Sequence, residues 1–336
     1  MGTRIAVVGA TGEAGREILG VLCERGVAVE DVVALGDGPG REVSFGEDDV
    51  LKVGNAETFD YATCGVAILA VPARAAAKLA PKIAEAGCVA VDTSTAFRLE
   101  PGVPLVVPEV NAEALVNWKK KRIVACPSPL TAQIALALAP LVDPFGIERV
   151  VVSTYQSTAG TGRDGMDELF RQTRGIYVNE PPASSKQVFT KQIAFNVIPH
   201  VDDFRKDGAT EQEEGIAAEA RKMLTPDLRL TANCARVPVF VGSAAWLNIE
   251  TENAVDAEQV RAVLKKAQGI TVVDHRADEG YVSPAECAGE DSVYVSRIRR
   301  DSSADRAVSL WVVADDLRIG ALNAVAVAQA LIDEYL

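Results

Sequence analysis

Short apolar runs alternate with helix-period segments through the first 140 or so residues. Thr3 to Ala10 reads as a buried strand, and Arg16 to Arg25 sets Ile18, Leu19, Val21 and Leu22 at helical spacing. Val32–Leu35, Val66–Val71, Cys88–Asp92 and Arg122–Cys126 predict further strands. Ala73–Ala86 and Pro129–Leu141 predict helices between and after them. Regular alternation of this kind implies parallel βαβ units with right-handed crossovers. After Asp143-Pro144 the texture changes. Val150–Tyr155, Arg229–Phe240, Ala245–Glu252, Ile270–Asp274, Ser292–Arg297 and Val308–Val313 are strand-like, and several alternate polar with apolar positions, as a sheet with one wet face does. Helices fit Gly165–Thr173, Gln212–Met223 and Asp256–Lys266. The last helix, Ala321–Tyr335, is apolar enough to dock back on the first domain. Residues 176–192, with Pro181-Pro182, read as a loop.

Composition narrows the function classes. The chain has 336 residues, 48% of them hydrophobic, which suits two domains. Lys and Arg number 34 against 47 Asp and Glu, a net charge of −13. That balance excludes nucleic acid and anionic membrane as main partners but leaves room for a local cationic pocket. No apolar run is long enough to span a bilayer, and Met1 to Ile5 enters a strand without a signal-peptide layout. The six cysteines are scattered with no CxxC, so neither a disulfide framework nor a metal site is expected, and the cytoplasm is the expected compartment.

Between the first strand and helix lies Gly9-Ala10-Thr11-Gly12-Glu13-Ala14-Gly15, a GxxGxxG turn. Small residues there let backbone approach a pyrophosphate, and the helix start offers amides and a positive dipole end. Asp37, at the end of the second strand, stands where a ribose carboxylate would sit; it reads equally as a turn residue, and Arg41 nearby would act in the opposite sense.

Several blocks now resemble one family, the aspartate-semialdehyde dehydrogenases: VVGATGEAG (7–15), VDTSTAFRLEPGVPLVVPEVN (91–111), STYQSTAGTG (153–162), FNVIP (195–199), ARVPVF (235–240) and WVVADDLRIGALNAV (311–325). The resemblance implies an α/β chain: a Rossmann-type NAD(P)-binding domain over 1–128 with the C-terminal helix 320–336, and an α+β substrate and dimerisation domain over 129–319. It implies a homodimer, and an activity in which a cysteine thioester forms, a histidine moves the proton and hydride reduces the acyl group. Ala159, Gly160 and Asp316 fall where the family meets its cofactor, with Gly9 to Gly15 and Asp37 as above. Arg98 and Arg236 fall at anion-binding arginines, Gln156 at the thioester-orienting glutamine, and Glu213 at one of a pair of glutamates before a lysine position that here holds Gly215.

The departures concern the chemistry itself. Registered on Pro127, Thr131 and Gln133, the family's nucleophile position holds Pro129, and its histidine position holds Ser243. Cys126 is the one substitute thiol nearby, three residues too early. His200 reads as structural or surface. Asp37 and Asp316 add carboxylates that favour NAD over NADP. The expectation is a non-catalytic, Usg-type relative that keeps nucleotide or small-anion binding. The alternative is an active NAD(P)-dependent semialdehyde or acyl-phosphate dehydrogenase with an atypical site around Cys126.

Overall fold

The computed structural model describes residues 3–178 and 188–336, so the Pro181-Pro182 segment lies outside the described residues. The chain divides into two compact units, one of Met1–Pro129 with Gly320–Leu336 and one of Leu130–Ile319.

The first unit is built on a six-stranded parallel sheet. Its strands are β1 (Ile5–Val8), β2 (Val32–Gly36), β5 (Gly54–Asn55), β6 (Val66–Leu69), β7 (Val89–Asp92) and β8 (Ile123–Ala125), in the order β5-β2-β1-β6-β7-β8. Every residue of β1, β6 and β7 is buried, as near-continuous apolar runs in a sheet covered on both faces must be. Helices α1 (Glu13–Glu24) and α2 (Ala73–Glu85) form the crossovers. The C-terminal residues join this unit, with Ala324, Val327, Ala328 and Leu331 fully buried in the same core as Ile5, Val7 and Ile68. A hairpin of β3 (Glu42–Phe45) and β4 (Asp49–Lys52) was not legible in the sequence, because its strands are only four residues long and mix charged with apolar residues. It forms because Val43 and Phe45 can join the core that α1 covers.

The second unit carries a mixed sheet. β9 (Ile147–Gln156), β10 (Arg229–Arg236), β11 (Ser243–Thr251), β12 (Ile270–Val272), β13 (Val293–Arg300) and β14 (Ala307–Ala314) lie in the order β10-β9-β11-β14-β13-β12. β9 and β10 run parallel, whereas β11 pairs antiparallel with both β9 and β14. β10 alternates exposed and buried positions along most of its length, the pattern of a sheet with one solvated face. Its end corrects the sequence reading of a strand through Phe240. Pro238 cannot donate to a ladder, and the Val239 and Phe240 carbonyls instead accept from Thr158 and Ala159 N–H at 2.8 and 2.9 Å. Three helices also run longer than their periodicity suggested: α4 (Pro129–Phe145), α5 (Gly162–Tyr177) and α8 (Asp316–Glu334). α5 therefore takes up residues 176 and 177 of the expected loop. The first unit also holds the single turn α3 (Pro108–Asn111), and in the second α6 (Glu211–Met223) and α7 (Ala257–Leu264) each open on a capping box, Thr210 with Glu213 and Asp256 with Gln259. Among the described residues no helix is long and apolar enough to cross a membrane.

Candidate functional site

In the first unit the glycine turn is shaped by contacts that exclude side chains. Gly9 has φ +89°, and a Cβ on it would lie 2.1 Å from the Ala70 carbonyl oxygen. A Cβ on Gly15 would lie 2.1 Å from the Gly9 carbonyl oxygen, so glycine there lets α1 press against the turn. The Gly9 and Ala10 N–H groups both donate to Leu35 O, at 2.8 and 3.1 Å, which fastens the turn to the end of β2. Asp37 is exposed just beyond that strand. Arg41 folds back across Gly38 beside it, so one turn carries a carboxylate and a guanidinium together. No side chain caps α1 at Gly12, and helix geometry gives the Glu13 and Ala14 amides no intrahelical acceptor. A glycine turn without side chains at Gly9, Gly12 and Gly15, followed by a helix start with no side-chain cap, fits a dinucleotide's pyrophosphate.

A second cluster lies at the ends of β7 and β8 in the same unit. Asp92 is fully buried and accepts from the Ser94 N–H and Oγ, both at 3.0 Å. Burial pushes its carboxyl above the usual range, against the pull of the Ser94 bonds and of Arg98. Arg98 donates through Nε to Cys126 O at 3.0 Å and through Nη2 to Thr93 O at 2.8 Å. The arginine expected on an anion thus holds backbone carbonyls at the sheet's edge. Sequence reasoning passed over Asp92, although an Asp two residues before a Ser is the signature of a local side-chain turn.

Cys126 sits beside this arginine, 2% exposed. Burial, reinforced by Asp92, pushes its thiol up to about 12. A reactive cysteine needs the opposite, an electropositive and accessible setting. Cys88 and Cys287 are likewise pushed to about 12 and Cys234 to about 11, in each case first by burial. Pro129 opens α4, a place where a missing N–H costs no helical bond, and it packs against Gly320, whose Cβ would lie 3.0 Å from Pro129 Cγ.

In the second unit the turns after β9 and before β11 meet the start of α8. Asp316, buried, accepts from Ser157 Oγ at 3.1 and 3.2 Å, from Ser243 Oγ at 3.2 Å and from Gly242 N at 3.2 Å. Ser243 Oγ in turn accepts from Ser157 N at 3.1 Å. The oxygens of Asp316 are thus engaged by interior donors. Desolvation raises its carboxyl above the usual range despite those donors, and Asp315 adds to the rise. Asp315 itself caps α8, accepting from Leu317 and Arg318 N–H at 2.9 and 3.0 Å.

Arg236 is 6% exposed, and burial lowers its guanidinium from the ordinary value. Among the described residues its side chain has one hydrogen-bond partner, the Ser157 carbonyl, at 2.6 Å. A buried guanidinium carries five N–H donors, so most of this one's capacity is unused. Gly160 is exposed beside it, and a Cβ there would lie 3.1 Å from Arg236 Nη1 and 3.8 Å from Asp316 Oδ2. Ala159 is buried in the same turn. Gln156 ends β9 and donates to Thr154 Oγ1 at 3.2 Å. Gln133, which sequence reasoning used only for registration, is fully buried and donates to Ser243 O at 3.1 Å.

Glu213, an expected site residue, also serves the fold. It accepts from Thr210 N at 2.8 Å and Cys234 N at 3.0 Å, one amide on each oxygen, so it caps α6 and clamps it to β10. Gly215 lies on α6 with only Glu219 Oε1 near its absent Cβ, at 3.8 Å. His200 stacks on Phe204 with ring centroids 4.8 Å apart.

The two units thus define a dinucleotide-binding protein with an α+β partner domain, the architecture of a semialdehyde dehydrogenase. Residues 4–118 match the family described as "Semialdehyde dehydrogenase, NAD binding domain", and residues 138–319 match "Semialdehyde dehydrogenase, dimerisation domain". The chain is 42% identical to an aspartate-semialdehyde dehydrogenase of Rickettsia bellii, over 99% of this chain and 98% of that one. It is 41% identical to that of Aquifex aeolicus over the whole of both chains. The solved structure of aspartate semialdehyde dehydrogenase II from Vibrio cholerae, complexed with ASA, superposes with a TM-score of 0.96 at 37% identity, covering both chains fully. This chain belongs to the aspartate-semialdehyde dehydrogenase family. These relatives carry the names of dehydrogenases, and neither the narrower Usg-type resemblance nor a non-catalytic status finds support in them.

Proposed function

We propose that this family member binds a nicotinamide dinucleotide on the Gly9–Gly15 turn and a small anion at Arg236, and does not run the family's thiol chemistry. The observation that carries the reading is Cys126: the thiol nearest the family's nucleophile position is sealed in the core and held at about 12. Pro129 offers no nucleophile, and Ser243 donates into Asp316 rather than standing ready as a base. A bound dinucleotide would supply a hydride. The chain's own residues supply backbone amides, the Arg236 donors and the Gln156 amide. The dimerisation-domain match supports a homodimer.

The comparisons favour a second reading. Near-complete coverage at about 40% identity by relatives named as aspartate-semialdehyde dehydrogenases supports an active NAD(P)-dependent enzyme with an atypical site. One assay separates the two. Purified protein is mixed with aspartate semialdehyde, phosphate and either NAD or NADP, and reduced cofactor is followed by absorbance. The first reading expects no turnover above background. Turnover that disappears in Cys126→Ala would establish the second.

Asp37, exposed at the end of β2, supports NAD over NADP, because a carboxylate accepts from a ribose diol and repels a 2′-phosphate. Calorimetric titration is expected to give at least about tenfold tighter binding for NAD, the size of one lost charge contact. Asp37→Ser should narrow that gap, because the carboxylate that repels the phosphate is gone while Arg41 remains nearby. Equal affinities in the unaltered protein would refute the preference.

A further inference from the structure

Arg236 and Asp316 approach one point from two sides. The space above exposed Gly160 is bounded by Arg236 Nη1, 3.1 Å from where a Cβ would stand, and by Asp316 Oδ2, 3.8 Å from it. The arginine is nine-tenths buried and has donors left over; the carboxyl is buried and tied to Ser157, Ser243 and Gly242 N. An anion placed there meets a cation it needs and a carboxylate it must repel. In low dielectric both effects are large, and the carboxylate can remove the repulsion by taking up a proton.

We propose that Arg236 and Asp316 form a single proton-coupled oxyanion site, in which a small oxyanion binds Arg236 across Gly160 while Asp316 takes one proton from solvent. The proposal rests on the anion-binding reading of Arg236 and adds the proton to it. The charged and titratable groups that face Asp316 are Asp315 on its own helix, Arg236 from β10 and Cys287 from the loop before β13. Arg236 additionally faces Asp202 and Cys234. Asp315 caps α8 through its carboxylate, whereas Asp316 is the carboxyl that reaches the space above Gly160, and burial raises it above the usual range. The sign follows from that. Below the raised value of Asp316 the site presents Arg236 beside a neutral acid, and oxyanions bind well. Above it the two charges offset one another, and affinity falls. By reciprocity a bound oxyanion raises the Asp316 value further.

Sulfate is a suitable probe, because its own charge is constant over the range tested. Calorimetry of the full-length protein is expected to show sulfate affinity falling about tenfold between pH 5 and pH 8, within the usual span of coupling between neighbouring sites. Titrations near the midpoint in two buffers of different ionisation heat should report about half a proton taken up per sulfate, the most that a tenfold coupling allows. Asp316→Asn should bind sulfate at pH 8 as tightly as the unaltered protein does at pH 5, with the slope gone. Ser243→Ala, which withdraws one donor from the carboxylate, should move the midpoint upward in pH. Arg236→Gln should lose sulfate binding throughout. If Arg236→Gln binds sulfate normally, the anion reading itself falls. If Arg236→Gln abolishes binding but Asp316→Asn and Ser243→Ala leave the pH profile of the unaltered protein in place, the anion site stands and the proton coupling is overturned.

Discussion

Gly9→Ala is expected to cost about 3 kcal/mol of stability and to abolish nucleotide binding. Two separate penalties add. A side chain at φ +89° sits in the left-handed region, at about 1–2 kcal/mol. The new methyl carbon would also stand 2.1 Å from the Ala70 carbonyl oxygen, so the end of β6 or the turn must move, and overpacking of that kind costs about 1–3 kcal/mol. Either movement displaces the Gly9 and Ala10 amides from Leu35 O, and with them the turn that the proposed pyrophosphate site depends on. Gly12→Ala is the matched control. Its Cβ would lie an ordinary 3.4 Å from Gly9 O and its φ is −77°, so the loss should stay within about 1 kcal/mol. Denaturant unfolding with calorimetry of NAD binding reads both effects. Equal behaviour of the two variants would show that the close approach at Gly9 does not matter.

Asp316→Leu is expected to destabilise the second unit by about 3–5 kcal/mol, whereas Asp316→Asn should stabilise it as pH rises. The leucine leaves the Ser157 and Ser243 hydroxyls and the Gly242 N–H without their buried acceptor, and leaves Asp202 as the remaining counter-charge of buried Arg236. The asparagine keeps an acceptor and carries no charge. Asp316 has a folded value raised above its unfolded one. Its contribution is therefore fully present below the unfolded value, near pH 4, and is lost as pH rises through the folded value. The stability difference between Asp316→Asn and the unaltered protein should thus grow from acid to neutral pH. Asp92, raised in the same direction in the other unit, leaves part of the unaltered protein's pH dependence in place. Melting curves from pH 4 to pH 8 decide the point: a constant difference would mean that Asp316 does not titrate there.

The placement of Asp316 also joins two departures that look independent along the chain. Ser243 stands where the family resemblance puts a histidine, and Asp316 where it puts an asparagine. In the folded protein the serine hydroxyl donates to the aspartate at 3.2 Å, so the two residues form one buried unit. Seventy-three positions of separation conceal that pairing in a linear reading.

Local pattern settled what depends on local physics. The apolar runs of β1, β6 and β7, the helical spacing of α1 and the glycines of the first turn all follow from strand burial, helical period and backbone sterics, which neighbouring residues carry. The absent thiol at Pro129 and absent imidazole at Ser243 were equally legible, since a missing functional group needs no coordinates. Tertiary structure decided which polar groups are engaged. Arg98 and Arg236 are alike as letters, yet one holds the carbonyls of Thr93 and Cys126 and the other, among the described residues, has a single hydrogen-bond partner, the Ser157 carbonyl. Glu213 became a cap, Cys126 a sealed core thiol, and Asp316 an acceptor for donors from two distant turns. Burial and hydrogen-bond satisfaction are properties of surroundings assembled from distant parts of the chain, and no spacing rule encodes them.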